Sequence, residues 1–145
     1  MEIEALSKDN IKPLTELILE LWTDCQFDEE YENCKCILSS KNEICYLVKN
    51  QESYIAFIHL TIRTDYVEGA TELPVLYLEA LFVKPAYRKL GIGKKLVNAG
   101  KEWGRQKGCK QIASDTELHN EAGIEFHKQT GFTEVNRIVC FIKDI

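Results

Sequence analysis

Residues 78–93 read LEALFVKPAYRKLGIG, and the order of residue types within them decides the fold. An apolar strand runs to Val83, Pro85 ends it, and Arg88-x-x-Gly91-x-Gly93 turns the chain straight into a helix that begins KKLVNAG. Backbone N–H groups at a helix N-terminus have no intrahelical partner and sit at the positive end of the macrodipole. Where glycines let the backbone come close, a phosphate settles there. The stretch therefore predicts a pyrophosphate cradle made by Arg88, Lys89, Leu90, Gly91, Ile92, Gly93 and Lys94. It is not a P-loop, because no Gly-Lys-Ser/Thr follows, nor a dinucleotide turn, because the glycines stand two apart without a third. An ordinary strand–turn–helix unit is the competing reading.

Charge is distributed around this turn unevenly. Lys84, Arg88, Lys89, Lys94 and Lys95 crowd it, whereas Asp65, Glu68, Glu72, Glu79 and Asp115 gather elsewhere. One end of the molecule suits a polyphosphate and the other a cationic amine. The net charge of −5 argues against nucleic acid as a partner, which needs a basic face. A length of 145 residues fits one domain, 1–145, with a core of its own. No apolar run approaches the roughly 20 residues that span a bilayer. The opening MEIEALSKDN lacks the basic and apolar regions of a signal peptide, so the expectation is a cytoplasmic protein. Six cysteines include one close pair, Cys34-x-Cys36, without the second pair or histidines of a zinc site. They are read as free, and no metal is expected.

The rest of the chain alternates strands and helices. Ile3 to Leu6 reads as a strand, and Asn10 is placed to cap a helix carrying Ile11, Leu14, Leu17, Ile18 and Leu21. A second helix starts near Asp28. Ile44–Val48 and Tyr54–Arg63 form a hairpin, the loop Thr64–Pro74 follows, and Val75–Val83 reads as a central strand. After the glycine turn comes a helix closed by Gly108, then a strand at Gln111–Ser114, a helix from Asn120 to Thr130, and a last strand at Arg137–Ile142. The result is an α/β fold with a mixed sheet flanked by helices on both faces.

The Val83-x-Pro85, Arg88-x-x-Gly91-x-Gly93 spacing resembles the acyl-CoA site of the GCN5-related N-acetyltransferases (GNAT superfamily), and the element order matches that fold over the whole chain. A second element, Asn120-x-x-Gly123-x-x-Phe126-His127-x-x-x-Gly131-Phe132, is similar to the family's NxxAxxFYxxxGF. It departs at Gly123 for alanine and His127 for tyrosine. The segments TIRTDYVEGATELPVLYLEALFVKPAYR, IASD and FHKQTGF look like those of bacterial aminoglycoside 6'-N-acetyltransferases. That resemblance implies acetyl-CoA as donor, an aminoglycoside amine as acceptor, antibiotic resistance as outcome, and a homodimer.

Such chemistry assigns roles to named residues. An acceptor amine with a pKa near ~10 must lose a proton before it attacks. Glu79, in the central strand, is the candidate base; its other reading is an acid paired with an arginine. Asp115, at the carboxyl end of a strand where open α/β sheets place their crevices, anchors the amine, or caps a helix. His127 stands where relatives carry a tyrosine acid and is read either as that acid or as a structural ring. Pantetheine pairs along Leu81, Phe82 and Val83, with the Phe82 N–H as oxyanion donor, and Asn120 bonds the same arm. Trp22, Asp65 and Tyr66, with Glu79 and Asp115, form the proposed acceptor surface, although the aromatics also suit a core and the loop acids a solvated surface. Three rivals stay open: a polyamine or small amine as acceptor, a protein acceptor, and a noncatalytic acyl-CoA-binding module.

Overall fold

A computed structural model describes all residues, 1–145. The elements in chain order are β1 (Glu2–Ala5), α1 (Ile11–Leu21), α2 (Phe27–Ser39), β2 (Glu43–Asn50), β3 (Ser53–Arg63), β4 (Val75–Val83), α3 (Ile92–Gln106), β5 (Ile112–Ser114) and α4 (Glu121–Gln129). A single turn of 3-10 helix at Pro85–Tyr87 joins β4 to the glycine turn. The five strands lie in sequence order, antiparallel from β1 to β4, with β5 parallel to β4.

Each face of the sheet has its own core. Leu14, Leu17 and Ile18 of α1 and Cys34 of α2 pack with Phe57 and Phe82 on one face. Leu96 and Val97 of α3 pack with Ile58, Leu60 and Leu78 on the other. Strands buried on both faces read as unbroken apolar runs, which is why Ile55 to Ile58 and Val75 to Leu78 contain no charged residue. All six cysteines are free. Cys34 and Cys45 sit in the first core, where burial raises both thiols above their ordinary range. No group of three side chains is placed to hold a metal, and no helix is long and apolar enough to cross a membrane.

Two local expectations change, and the sheet adds a bulge on which the sequence was silent. Asn10 precedes α1 but makes no side-chain cap bond to it. Its side chain is buried, accepting from the Ser7 N–H at 2.8 Å and donating to the Ala5 carbonyl at 3.1 Å, so it ties the end of β1 to the helix start. The β3–β4 ladder carries a bulge: His59 faces Ala80 and Leu60 faces Leu78, leaving Glu79 without an opposite residue. The strand expected at Arg137–Ile142 is absent, and Thr133–Ile145 follows α4 without regular structure, because no sheet edge of the same chain pairs with it.

Leu60 is fully buried against the face of α3 at Gly100, which has no room for a side chain. Leu60→Ala is expected to lower unfolding free energy by about 3 kcal/mol. Urea denaturation checks this as a lower midpoint at unchanged slope.

Candidate functional site

The turn after β4 is built as an anion receptor. Lys89 and Gly91 take left-handed backbone angles, φ 61° and 80°, and Gly91 is the N-cap of α3. No protein acceptor takes the backbone N–H of Lys89, Leu90, Gly91, Ile92, Gly93 or Lys94. Alternating hands of this kind form a concavity of N–H groups that suits phosphate oxygens. Nothing lies within 4 Å of a side chain built on Gly91, whereas one on Gly93 would strike Phe126 at 2.7 Å. Gly91 thus opens the turn, and Gly93 lets α4 press against α3. The Arg88 Nε donates to the Val83 carbonyl at 2.8 Å, which fixes the turn to the strand end.

Beside this turn one edge of β4 is open. β5 pairs only with Leu76, Tyr77 and Leu78. The Lys84 N–H donates to Ile55 of β3 at 2.9 Å, and donors alternate between edges along a pleated strand. The Phe82 N–H therefore faces β3, and those of Leu81 and Val83 face the open side. The Phe82 N–H, expected as oxyanion donor, is therefore turned away from the open edge. An extended amide chain fits such an edge as an added strand.

The carboxylates lie on the α1–α2 face and are joined through one cation. Glu79 Oε1 accepts from Thr61 Oγ1 at 2.6 Å, Arg63 Nη2 at 2.8 Å and Arg63 Nε at 3.1 Å. Oε2 has no protein partner. The arginine-paired reading of Glu79 is thus correct in geometry, and it leaves one oxygen for chemistry. The Arg63 guanidinium stacks on Tyr77, 3.4 Å from the ring centre, and the Tyr77 hydroxyl donates to Asp115 Oδ2. Burial, then the bond to Asp115, pushes the Tyr77 hydroxyl far above its ordinary range, so it stays a neutral donor. Arg63 offsets the charge of Glu79, and Asp115 keeps its own. Asp115 caps no helix.

Alternation along β3 puts Phe57, His59, Thr61 and Arg63 on one face. There a cavity of about 330 Å³ opens between the sheet and α1–α2, lined by Trp22, Glu30, Glu43, His59 and Ala80 among others. His59 Nε2 meets Glu43 Oε1 at 3.0 Å. Trp22 is 46% exposed at this rim, in keeping with a platform. Tyr66 is exposed and donates to Glu68 at 2.6 Å, and Asp65 is exposed beside it. Neither is bonded to Glu79 or Asp115.

Two expected site residues are engaged by the fold. Asn120 caps α4, accepting from the Gly123 N–H at 3.0 Å while its amide donates to Thr116 at 3.0 Å. A side chain at Gly123 would collide with both, which explains the glycine there. His127 Nδ1 lies 2.6 Å from the Gly123 carbonyl and Nε2 lies 2.7 Å from Ser114 Oγ. The carbonyl only accepts, so Nδ1 carries a proton, while the Ser114 hydroxyl can donate to or accept from Nε2. Phe126 and Phe132 hold the ring edge-on. Both ring nitrogens are thus engaged by the fold, which favours the structural reading of His127. Thr61, Arg63, Tyr77, Glu43 and Ser114 were not singled out from sequence; period-2 alternation from Phe57 to Arg63 is the signal that could have found the first two.

The acetyltransferase (GNAT) family description matches residues 4–132. The chain belongs to the GNAT acetyltransferase family. It is 32% identical over 143 residues to an aminoglycoside N(6')-acetyltransferase type 1 of Salmonella enteritidis, with 99% of each chain covered. Its fold superposes with TM-score 0.95 on AAC(6')-Iy in complex with a bisubstrate analogue, CoA-S-monomethyl-acetylneamine, at 30% identity and covering 99% and 98% of the two chains. An aminoglycoside antibiotic 6'-N-acetyltransferase, AAC(6')-IG of Acinetobacter haemolyticus, gives TM-score 0.94 at 30% identity, with 100% and 99% covered. In this GNAT chain the N–H turn and the open β4 edge are the two features of the fold fit to hold CoA.

Gly91→Val keeps its space but loses its preferred backbone angle. Strain of about 1–2 kcal/mol predicts roughly tenfold weaker CoA binding by calorimetry. Gly108→Val, at φ 86° outside the site, is expected to lower stability and leave CoA affinity unchanged.

Proposed function

We propose that this protein is an aminoglycoside 6'-N-acetyltransferase, acting in the cytoplasm as a single catalytic domain and as a homodimer, and conferring antibiotic resistance. The observation that carries this reading is the pair of carboxylates set unequally by one guanidinium. Asp115, uncompensated, binds and orients the acceptor ammonium, while the free Oε2 of Glu79 takes its proton directly or through a water. Acetyl-CoA is the donor, its pyrophosphate held by residues 89–94 and its pantetheine by Leu81 and Val83. The neutral amine attacks the thioester carbonyl carbon, the C–N bond forms, the C–S bond breaks, and the thiolate is protonated from solvent. Backbone N–H groups on the open β4 edge stabilise the developing oxyanion, typically worth a few kcal/mol. Glu30 and Glu43, in the cavity beyond His59, extend the acidic face toward the further ammonium groups of a multi-ring substrate, and Trp22 offers a flat apolar surface to a sugar. Full-length similarity to enzymes bearing this name supports the acceptor assignment over a polyamine or a protein.

Steady-state CoA release with kanamycin, tobramycin, spermidine and a lysine peptide, with mapping of the acetylated position, tests the assignment. Turnover selective for the 6'-amine is expected. Turnover with spermidine or peptide alone moves the acceptor, and CoA binding without turnover makes the chain a noncatalytic module. In the same assay Glu79→Gln should lower kcat about a hundredfold at unchanged CoA affinity. Asp115→Asn should act mainly on the KM of the amine.

A further inference from the structure

We infer that Tyr77 is a positioning residue of the transfer: its hydroxyl holds the Asp115 carboxylate toward the acceptor amine, and its ring fixes the spacing between Asp115 and the Arg63–Glu79 pair. This rests on the acceptor role given to Asp115 above. Asp115 is poorly held by its own segment. It is the first residue beyond the three-residue ladder of β5 and is exposed. Its carboxylate bonds to one protein group, the Tyr77 hydroxyl. A short side chain at an exposed strand end rotates about two bonds and presents its charge in several directions. The bond to Tyr77 selects one of them.

Tyr77 is itself held firmly. Its backbone stands opposite Thr61 of β3 and Ala113 of β5. The residue is 7% exposed and packs with Val67 and Val75, against which Ala70 and Ala113 also lie. The Arg63 guanidinium covers the ring at 3.4 Å from its centre, and the same guanidinium donates twice to Glu79 Oε1. Tyrosine is a rigid plate with two rotatable bonds and a polar tip, so packing of the ring fixes where its oxygen stands. The result is a spacer with a donor at its end and a cation on its face.

The chemistry of the donor matters as much as its place. An ammonium or guanidinium at that point would bond to Asp115 and also offset its charge, as Arg63 does for Glu79. A hydroxyl orients the carboxylate and leaves the charge for the incoming ammonium. Asp115 Oδ1 has no protein partner, and Glu79 Oε2 has none either. Each acid is thus gripped through one oxygen and offers the other. The two grips, Arg63 and Tyr77, are stacked on one another, so the distance between the offered oxygens is set by that stack.

The rival role is that of a core tyrosine whose hydroxyl finds a partner at the surface, as buried tyrosines usually do. Phenylalanine would then serve the reaction equally well, because the apolar packing around the ring involves no oxygen. Steady-state kinetics on Tyr77→Phe, Asp115→Asn and the double variant separate the two roles. The assay uses whichever amine among kanamycin, tobramycin, spermidine and the lysine peptide the unaltered protein acetylates.

For Tyr77→Phe the amine KM is expected to rise about tenfold, the scale of a hydrogen bond to a charged group, with kcat within about threefold. CoA affinity within about twofold by calorimetry reports an intact fold and cofactor turn. In the double variant the amine KM is expected to equal that of Asp115→Asn, since the hydroxyl acts only through that carboxylate. Effects that multiply in the double variant overturn the inference. So does an amine KM for Tyr77→Phe within about twofold of the unaltered protein, and so does a fall in kcat at constant KM, which would place the hydroxyl in the chemical step. Asp115→Glu keeps the test open should Tyr77→Phe fail to fold. It retains the charge and moves it off the place the hydroxyl sets, so an unchanged amine KM contradicts the inference. Acetylation of spermidine or peptide alone moves the acceptor proposed above, and the cycle is read on that amine; no turnover with any amine overturns both readings.

Discussion

β5 joins β4 through Leu76, Tyr77 and Leu78 alone, and the open strand edge that this short ladder leaves governs everything around it. An unpaired backbone edge inside a fold costs free energy unless something bonds to it. Here the Leu81 and Val83 N–H groups stand directly before a turn whose own N–H groups are unpaired. The two features are continuous, since Arg88 clamps the end of the strand to the turn. A ligand with an extended amide arm and a pyrophosphate satisfies both at once, and neither alone would select it. The bulge at Glu79 belongs to the same arrangement. It shifts the pleat of β4 so that Leu76 and Leu78 face β5 while Leu81 and Val83 face the open side.

The electrostatics follow from that shift. Freed from cross-strand pairing, the Glu79 carboxylate meets Thr61 and Arg63 of β3, and the Arg63 guanidinium lies on Tyr77, which reaches Asp115. One cation thus orients two acids while neutralising only one. The two acids stand in different surroundings, Glu79 paired with a guanidinium and Asp115 with a neutral hydroxyl, which is the contrast the proposed division of roles rests on. His127 holds Ser114 at the end of β5.

The sequence disclosed the parts that depend on local spacing. The glycine turn, β4, α3 and the position of Asp115 all follow from residues close in the chain. What it hid depends on register. Whether Glu79 faces Arg63 is decided by a bulge, which no period-2 pattern announces, and the same bulge moves the open-edge donors from Phe82 to Leu81 and Val83. Tyr77 reads as one more apolar strand residue until its hydroxyl is seen against Asp115. Asn10 and Asn120 both precede helices, yet one ties a strand end and the other caps. The apolar run at 138–142 has the composition of a strand, but a strand needs an edge, and no strand of the sheet pairs with it.

Amide hydrogen exchange with and without CoA tests the governing constraint most directly. Protection is expected at Leu81, Val83 and residues 89–94 on adding CoA, with Phe82 protected in both states by its bond to β3. Unchanged exchange at Leu81 and Val83 under saturating CoA would contradict the account, because the edge would then be open for some other reason.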